Sequence, residues 1–90
     1  DTEKHADLKI FPNPSSGSAD IEIVLHSATQ ASIELYNILG KSIVSKSFDL
    51  QKGLNIIKLE EIHNDLSTGN YLINVIMNQE KLSNHIMITK

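Results

Sequence analysis

Cysteine is absent from this 90-residue chain, and so is tryptophan. The first absence excludes a disulfide, a thiolate metal site and a cysteine nucleophile, and it allows folding in a reducing or an oxidising compartment alike. The only aromatic side chains are Phe11, Tyr36, Phe48 and Tyr71. Because sugar-binding platforms generally need exposed rings side by side, this scarcity disfavours a carbohydrate-binding surface.

Clustered positive charge and long apolar runs are also missing. The eight Lys and Arg residues are scattered singly in a chain of net charge −3, whereas nucleic-acid surfaces concentrate basic residues. Apolar stretches are interrupted within a few residues, far short of the roughly 20 apolar residues of a membrane-spanning helix. We therefore expect a soluble domain with no nucleic-acid partner.

Length and composition predict one folded domain. Ninety residues allow a single modest core, and the hydrophobic and charged fractions of 40% and 21% are ordinary for globular chains. The polar segment 1–6 has the composition of a linker, and we interpret it as the end of a linker from an upstream part of a larger precursor. Residues 7–90 are the predicted domain.

Short apolar alternations dominate this domain. A period of two places alternate side chains on one face of a β-strand, whereas a helix would scatter them. The alternating sets are Ile21, Ile23 and Leu25; Ile33 and Leu35; Tyr71, Ile73, Val75 and Met77; and Ile86 and Ile88. With segments 8–11, 42–48 and 54–59 they make about seven short strands, which predicts an all-β antiparallel sandwich.

Two details of the strands can be anticipated. The apolar phase changes between Ile56 and Ile57, which predicts a β-bulge there. Segment 71–77 is the longest regular alternation and predicts a central strand.

Turn residues separate the strands. Pro12 and Pro14 fix φ and remove two donors, so the first strand must stop there. Gly40 is expected at positive φ in a hairpin turn. Tyr71 begins an apolar face, so we expect a buried ring with its hydroxyl bonded near the strand end.

Three of these segments, in this order, resemble the type A C-terminal sorting domain of type IX secretion cargo in Bacteroidota. They are an aromatic residue followed by Pro-Asn-Pro and a glycine (11–17), an apolar-Gly-Lys turn (37–41) and Leu-x-x-Gly-x-Tyr entering a strand (66–71). The resemblance spans roughly residues 8–90. It implies an immunoglobulin-like sandwich whose role is a folded export address.

The resemblance also implies partners and recognition residues. The outer-membrane translocon would read the domain, and a sortase-like cysteine protease would usually cleave it from its cargo, which is then released or joined to surface lipopolysaccharide. Transit through the periplasm would precede secretion or surface display. The residues carried over are Pro12, Asn13, Pro14, Gly17, Gly40, Lys41, Gly69, Tyr71, Ile86, Ile88 and Lys90.

Two positions depart from the family pattern. Phe11 stands where tyrosine is commoner, and residues 83–85 replace much of the basic character that usually precedes the final strand, leaving Lys81, Lys90 and His85 to supply it. We expect the terminal strand and one exposed edge to be read by the export machinery, since an unpaired edge is a template for pairing. Removal of the last five residues is then expected to block export with only a fractional loss of the sandwich.

Catalysis, metal binding and nucleotide binding all lack support in the sequence. A phosphate-binding loop ending at Gly40 and Lys41 would need glycine at position 35, which is leucine. The four histidines lack metal-ligand spacing, and no serine lies in a nucleophile-elbow context. We therefore expect neither an enzyme nor a cofactor.

Other functions remain open for a sandwich of this kind, because the fold alone does not decide among binding roles. The alternatives are an adhesion or carbohydrate-binding module of a surface protein and a purely structural linker sandwich. A homodimer formed by edge-strand pairing is a further possibility.

Overall fold

The computed structural model describes residues 6–16, 18–78 and 80–90. Seven strands and one short 3₁₀ turn make up these residues: β1 Ala6–Phe11, β2 Asp20–Leu25, β3 Thr29–Asn37, β4 Ser42–Leu50, β5 Gly53–Lys58, the 3₁₀ turn Leu59–Glu61, β6 Gly69–Ile76 and β7 Lys81–Ile88. The prediction of an all-β sandwich of about seven strands is confirmed. The 3₁₀ turn was not anticipated, because three residues are too few to show a helical period.

The strands form two antiparallel sheets. One has the order β1-β2-β5 and the other the order β4-β3-β6-β7. The chain changes sheet between β2 and β3, between β4 and β5, and again before β6, which gives the immunoglobulin-like arrangement of two facing sheets. The strand β6 lies between β3 and β7, so the prediction of a central strand is confirmed.

The core lies between the inward faces of the two sheets, and the alternating residues of the sequence supply it. Ile21 and Ile23 from the smaller sheet are fully buried, as are Ile33, Leu35 and Ile73 from the larger one. Each such side chain stabilises the fold by about 1.5–3 kcal/mol relative to an exposed one. The period of two was therefore a sound guide to the buried face.

The predicted bulge between Ile56 and Ile57 is wrong. The strand β5 pairs with β2 without a break, from Gly53 opposite Leu25 to Lys58 opposite Asp20. The apparent change of phase arises because Ile56 is an apolar residue on the solvent face, whereas Ile57 points into the core. A register shift occurs instead between Leu35 and Tyr36, where β3 meets β4.

The strand β1 runs from one end of the sandwich to the other. It begins at Ala6, which is buried and pairs with Leu25, and ends at Phe11, about 17 Å further along. Ala6 was the last residue of the predicted linker, and the rest of that linker lies outside the described residues. The chain thus enters at one end of the sandwich and reaches Pro12 at the other. None of the described helical residues forms a span long and apolar enough to cross a membrane.

Candidate recognition site

Strand register brings the three sequence motifs to one end of the four-stranded sheet. Asn37 of β3 pairs with Tyr71 of β6, which pairs in turn with Ile86 of β7. Gly69 lies opposite Ile88, and Ser15 forms a parallel bridge to Ile88 on the other side. We call this region the motif end, and it comprises residues 12–15, 37–41, 69–71 and 85–90.

The side chain of Asn13 is hydrogen-bonded to the backbone of β7. Its Nδ2 donates to the carbonyl oxygen of His85 (3.0 Å), and its Oδ1 accepts the N–H of Met87 (2.9 Å). The amide thus offers one donor and one acceptor to β7, as a neighbouring strand would. We call this pair of bonds the Asn13 clamp.

Ser15 extends the pairing with its backbone. Its N–H donates to the Met87 carbonyl (2.8 Å), and its own carbonyl accepts the N–H of Thr89 (2.7 Å). The Ser15 hydroxyl donates to the Ser18 carbonyl (2.7 Å), which holds the turn closed. From His85 to Thr89 the outer edge of β7 is therefore paired with the Asn13 clamp and Ser15, and it offers no open template for strand pairing there.

The two prolines flank the clamp. Pro12 and Pro14 are exposed, and the peptide bonds that precede both are cis. Because each pyrrolidine ring fixes its own φ, Asn13 stands between two restrained residues. Gly17, the last residue carried over from this motif, lies outside the described residues.

The hairpin between β3 and β4 is held by Asn37. Its side-chain oxygen accepts the N–H groups of Leu39 (2.9 Å) and Lys41 (3.0 Å), and its carbonyl accepts the N–H of Gly40 (2.9 Å). Gly40 has φ of 83°, so the predicted positive φ is confirmed. A Cβ atom at Gly40 would meet nothing within 4 Å, so backbone conformation rather than space requires glycine. Lys41 is exposed.

Tyr71 has a structural role at this end. Its ring is buried and its hydroxyl donates to the Ser67 carbonyl (2.7 Å), which confirms the expectation for this residue. A Cβ at Gly69 would lie 3.8 Å from the tyrosine ring, an ordinary contact. The loop before β6 and the strand itself are therefore joined through one side chain.

Ile86 and Ile88 are core residues. Their exposed fractions are 1% and 0%, so a receptor cannot touch either side chain on the folded domain. The expectation that loss of the last five residues costs only a fraction of the sandwich is therefore wrong. That deletion would remove both isoleucines and the bonds of Met87 and Thr89 to the turn at Ser15.

Lys90 is tied to the loop before β6. Its N–H donates to Thr68 Oγ1 (3.0 Å), and its Nζ lies 3.4 Å from Asp65 Oδ1. The Asp65 carboxylate is almost fully exposed, so this ion pair contributes at most about 1 kcal/mol. The backbone contact fixes the direction of the chain end more than the charge does.

Sequence reasoning assigned no individual role to four residues of the motif end. Asn37 and Ser15 hold the two turns through hydrogen bonds that no periodicity reveals. Ile38 and Leu39 fall in the hairpin turn, and their exposure follows from the turn rather than from any local pattern. The local sequence signal for this turn was an asparagine followed by two apolar residues and Gly-Lys (37–41).

Two chemical features of this region are a hydrogen-bonded tyrosine beside the motif end and the placement of potential metal ligands. On the neighbouring outer face, the hydroxyl of Tyr36 donates to Glu34 Oε1 (2.6 Å), and this bond raises the pKa of Tyr36 above its ordinary value. Across residues 6–16, 18–78 and 80–90, no group of three or more His, Asp or Glu side chains is arranged to hold a metal ion.

The fold and this end of it define a class of protein: a small β-sandwich that displays ordered turns at one end of its larger sheet. The sequence matches the family described as secretion system C-terminal sorting domain over residues 9–89. The chain belongs to this family, and the resemblance seen in its motifs is confirmed. A search of curated proteins found no match to the sequence.

Membership gives the domain its role. It is a C-terminal sorting signal for type IX secretion, and such a signal implies export across the outer membrane to the cell surface or the medium in Bacteroidota. The family is not a catalytic one. A role of this kind also implies an attached N-terminal cargo and contact with the secretion machinery.

Proposed function

We propose that the motif end is the surface by which the type IX translocon reads this sorting domain. The observation that carries the proposal is the convergence of the exposed turn at Pro12, Asn13 and Pro14 with the exposed turn at Gly40 and Lys41. Two turns distant in sequence lie at the same end of one sheet, one beside β7 and one after β3, where a single receptor can contact both.

The position of the cargo supports the same surface. The chain enters the sandwich at Ala6, whereas the motif end lies beyond Phe11, about 17 Å away along β1. A folded cargo joined before Ala6 would therefore leave the motif end uncovered. In this proposal the cargo and its sorting domain cross the periplasm together and reach the translocon with the motif end free.

The predicted recognition residues divide into two groups by burial. The first is exposed and available for contact: Pro12, Asn13, Pro14, Gly40, Lys41 and Lys90. The second shapes the end from inside: Tyr71, Ile86 and Ile88, with the half-buried Gly69 beside them. We propose direct contact for the first group and a positioning role for the second.

Export of a passenger protein tests the proposal. Residues 1–90 are fused behind a periplasmic reporter that carries its own secretory signal, in a host with a working type IX system. We expect the reporter on the cell surface or in the medium, and in the periplasm when the host lacks the translocon. Retention in the periplasm of the competent host, with the domain shown to be folded, would contradict the function.

Cleavage and assembly are the finer parts of the proposal. A sortase-like cysteine protease would separate the domain from its cargo, and the mass of the released fragment would locate the cut. The edge-strand homodimer stays a prediction. Light scattering on the purified chain measures it. No observation favours the adhesion or carbohydrate-binding alternative.

A further inference from the structure

The tip of the β3–β4 hairpin exposes two large apolar side chains. Ile38 is 75% exposed and Leu39 is 88% exposed. Single exposed apolar residues are normal on protein surfaces, but adjoining ones that form a patch mark interaction sites. Hairpin turns are ordinarily built from polar residues, so two adjacent aliphatic side chains at this position call for a physical explanation.

The tip is ordered rather than loose. Asn37 accepts three hydrogen bonds from the turn, and its own N–H donates to the Lys41 carbonyl (3.0 Å). Gly40 supplies the positive φ that closes the loop. A partner that bound Ile38 and Leu39 would therefore lose little conformational entropy in fixing this backbone.

A shallow hollow adjoins the tip on the outer face of the larger sheet. Its volume is about 210 Å³, and its lining includes Ile38, Tyr71, Leu72 and His85. Met87, whose neighbour across the sheet is Asn70, adds a further exposed apolar side chain at the same end. The tip and the hollow together form one continuous surface, in which the tip protrudes and the hollow is concave.

The tip carries one formally charged side chain, Lys41, in a chain of net charge −3. Lys41 is exposed and takes part in neither of the two salt bridges among the described residues. The carboxylate of Asp65, at the same end, lies 3.4 Å from Lys90. A partner that covers the tip would therefore complement Lys41 with an acidic side chain.

We infer that the Ile38–Leu39 tip is an anchor that enters an apolar recess, bordered by acidic side chains, on a protein of the export machinery. The inference rests on the proposed function, because the anchor is continuous with the turn at Asn13 through His85 and Met87. The ordered turn at the tip and the adjoining hollow favour a protein rather than a lipid surface. Two aliphatic side chains and one lysine give too little apolar burial for stable membrane anchoring.

Paired serine substitutions test the anchor. In the reporter fusion, the double variant Ile38→Ser, Leu39→Ser is expected to lower the exported fraction about tenfold or more, as for loss of a central interface contact. The matched control is the double variant Leu54→Ser, Ile56→Ser, because this pair is also exposed and aliphatic but lies on β5. Both double variants should melt close to the unchanged chain, since neither pair is in the core.

Reversal of the charge at position 41 tests whether acidic side chains border the recess on the partner. We expect Lys41→Glu to reduce export strongly, whereas Lys52→Glu, an equal change of charge in the turn before β5, leaves it unaltered. Equal losses from the tip pair and the β5 pair would overturn the anchor, as would unimpaired export of the tip variant. Sedimentation of the chain with vesicles of phosphatidylethanolamine and lipopolysaccharide, lost in the tip variant, would also overturn it in favour of a lipid surface.

Failure of the anchor is distinguishable from failure of the proposed function. If the unchanged domain exports the reporter and the tip variant does so equally well, the sorting role stands and the anchor is rejected. If the unchanged and correctly folded domain fails to export the reporter, the sorting role itself is contradicted.

Discussion

Ile88→Ala is expected to destabilise the domain by about 2–5 kcal/mol, the range for truncating a buried isoleucine. Ile88 is fully buried, lies opposite Gly69 in β6 and bridges Ser15, so its removal leaves a cavity where the sheet meets the Pro12–Ser15 turn. Unfolding in urea, followed by circular dichroism, measures the loss. For a 90-residue domain this loss is a large fraction of the total stability.

Met87→Ala provides the matched control. Met87 is the preceding residue of the same strand, but its side chain points outward and is 42% exposed. We expect a change in the free energy of unfolding within about 0.5 kcal/mol, as for most surface substitutions. Equal losses for the two variants would contradict the inward orientation of Ile88.

Asn13→Ala is expected to destabilise the domain by about 1–3 kcal/mol, because it removes two hydrogen bonds, to the Met87 N–H and the His85 carbonyl, that contribute about 0.5–1.5 kcal/mol each. The same urea titration measures this loss. Amide hydrogen exchange gives the specific signature: exchange at Met87 should accelerate more than exchange at residues of β3, far from the clamp. Asn70→Ala, at an exposed asparagine of the same end, should have little effect.

Asn13→Asp separates the two bonds of the clamp. Aspartate keeps an oxygen that can accept the Met87 N–H, but it replaces the Nδ2 donor by an oxygen facing the His85 carbonyl. We expect exchange at Met87 to stay slower than in Asn13→Ala while stability still falls. Unchanged stability in both variants would show that the turn is held by Ser15 alone.

The Asn13 clamp and the buried isoleucines show that several residues of the family motifs stabilise the fold. Asn13 binds β7, Tyr71 binds the loop at Ser67, and Ile86 and Ile88 fill the core. A motif substitution that abolishes export can therefore act by disordering the motif end. For this reason the export assays require a stability measurement on every variant, and the exposed Ile38, Leu39 and Lys41 are the better probes of contact.

The strand positions were predictable because they depend on a local period. Alternation at Ile21, Ile23 and Leu25 identified the inward face of β2 without knowledge of its partner. The same reasoning failed at Leu54 and Ile56, where apolar side chains face solvent. An alternating pattern reports which residues share a face, and it reports the buried face only when the other face is polar.

The sequence by itself determined the number of strands, the positive φ at Gly40, the buried ring of Tyr71 and, through its three ordered motifs, the family. Tertiary structure alone decided where those motifs meet. Asn13 and the β7 residues that it binds are 72 and 74 positions apart, and only the packing of β1 beside β7 brings them together. Such contacts depend on sheet order and register, which are set by the packing of the whole core and leave no local pattern in the chain.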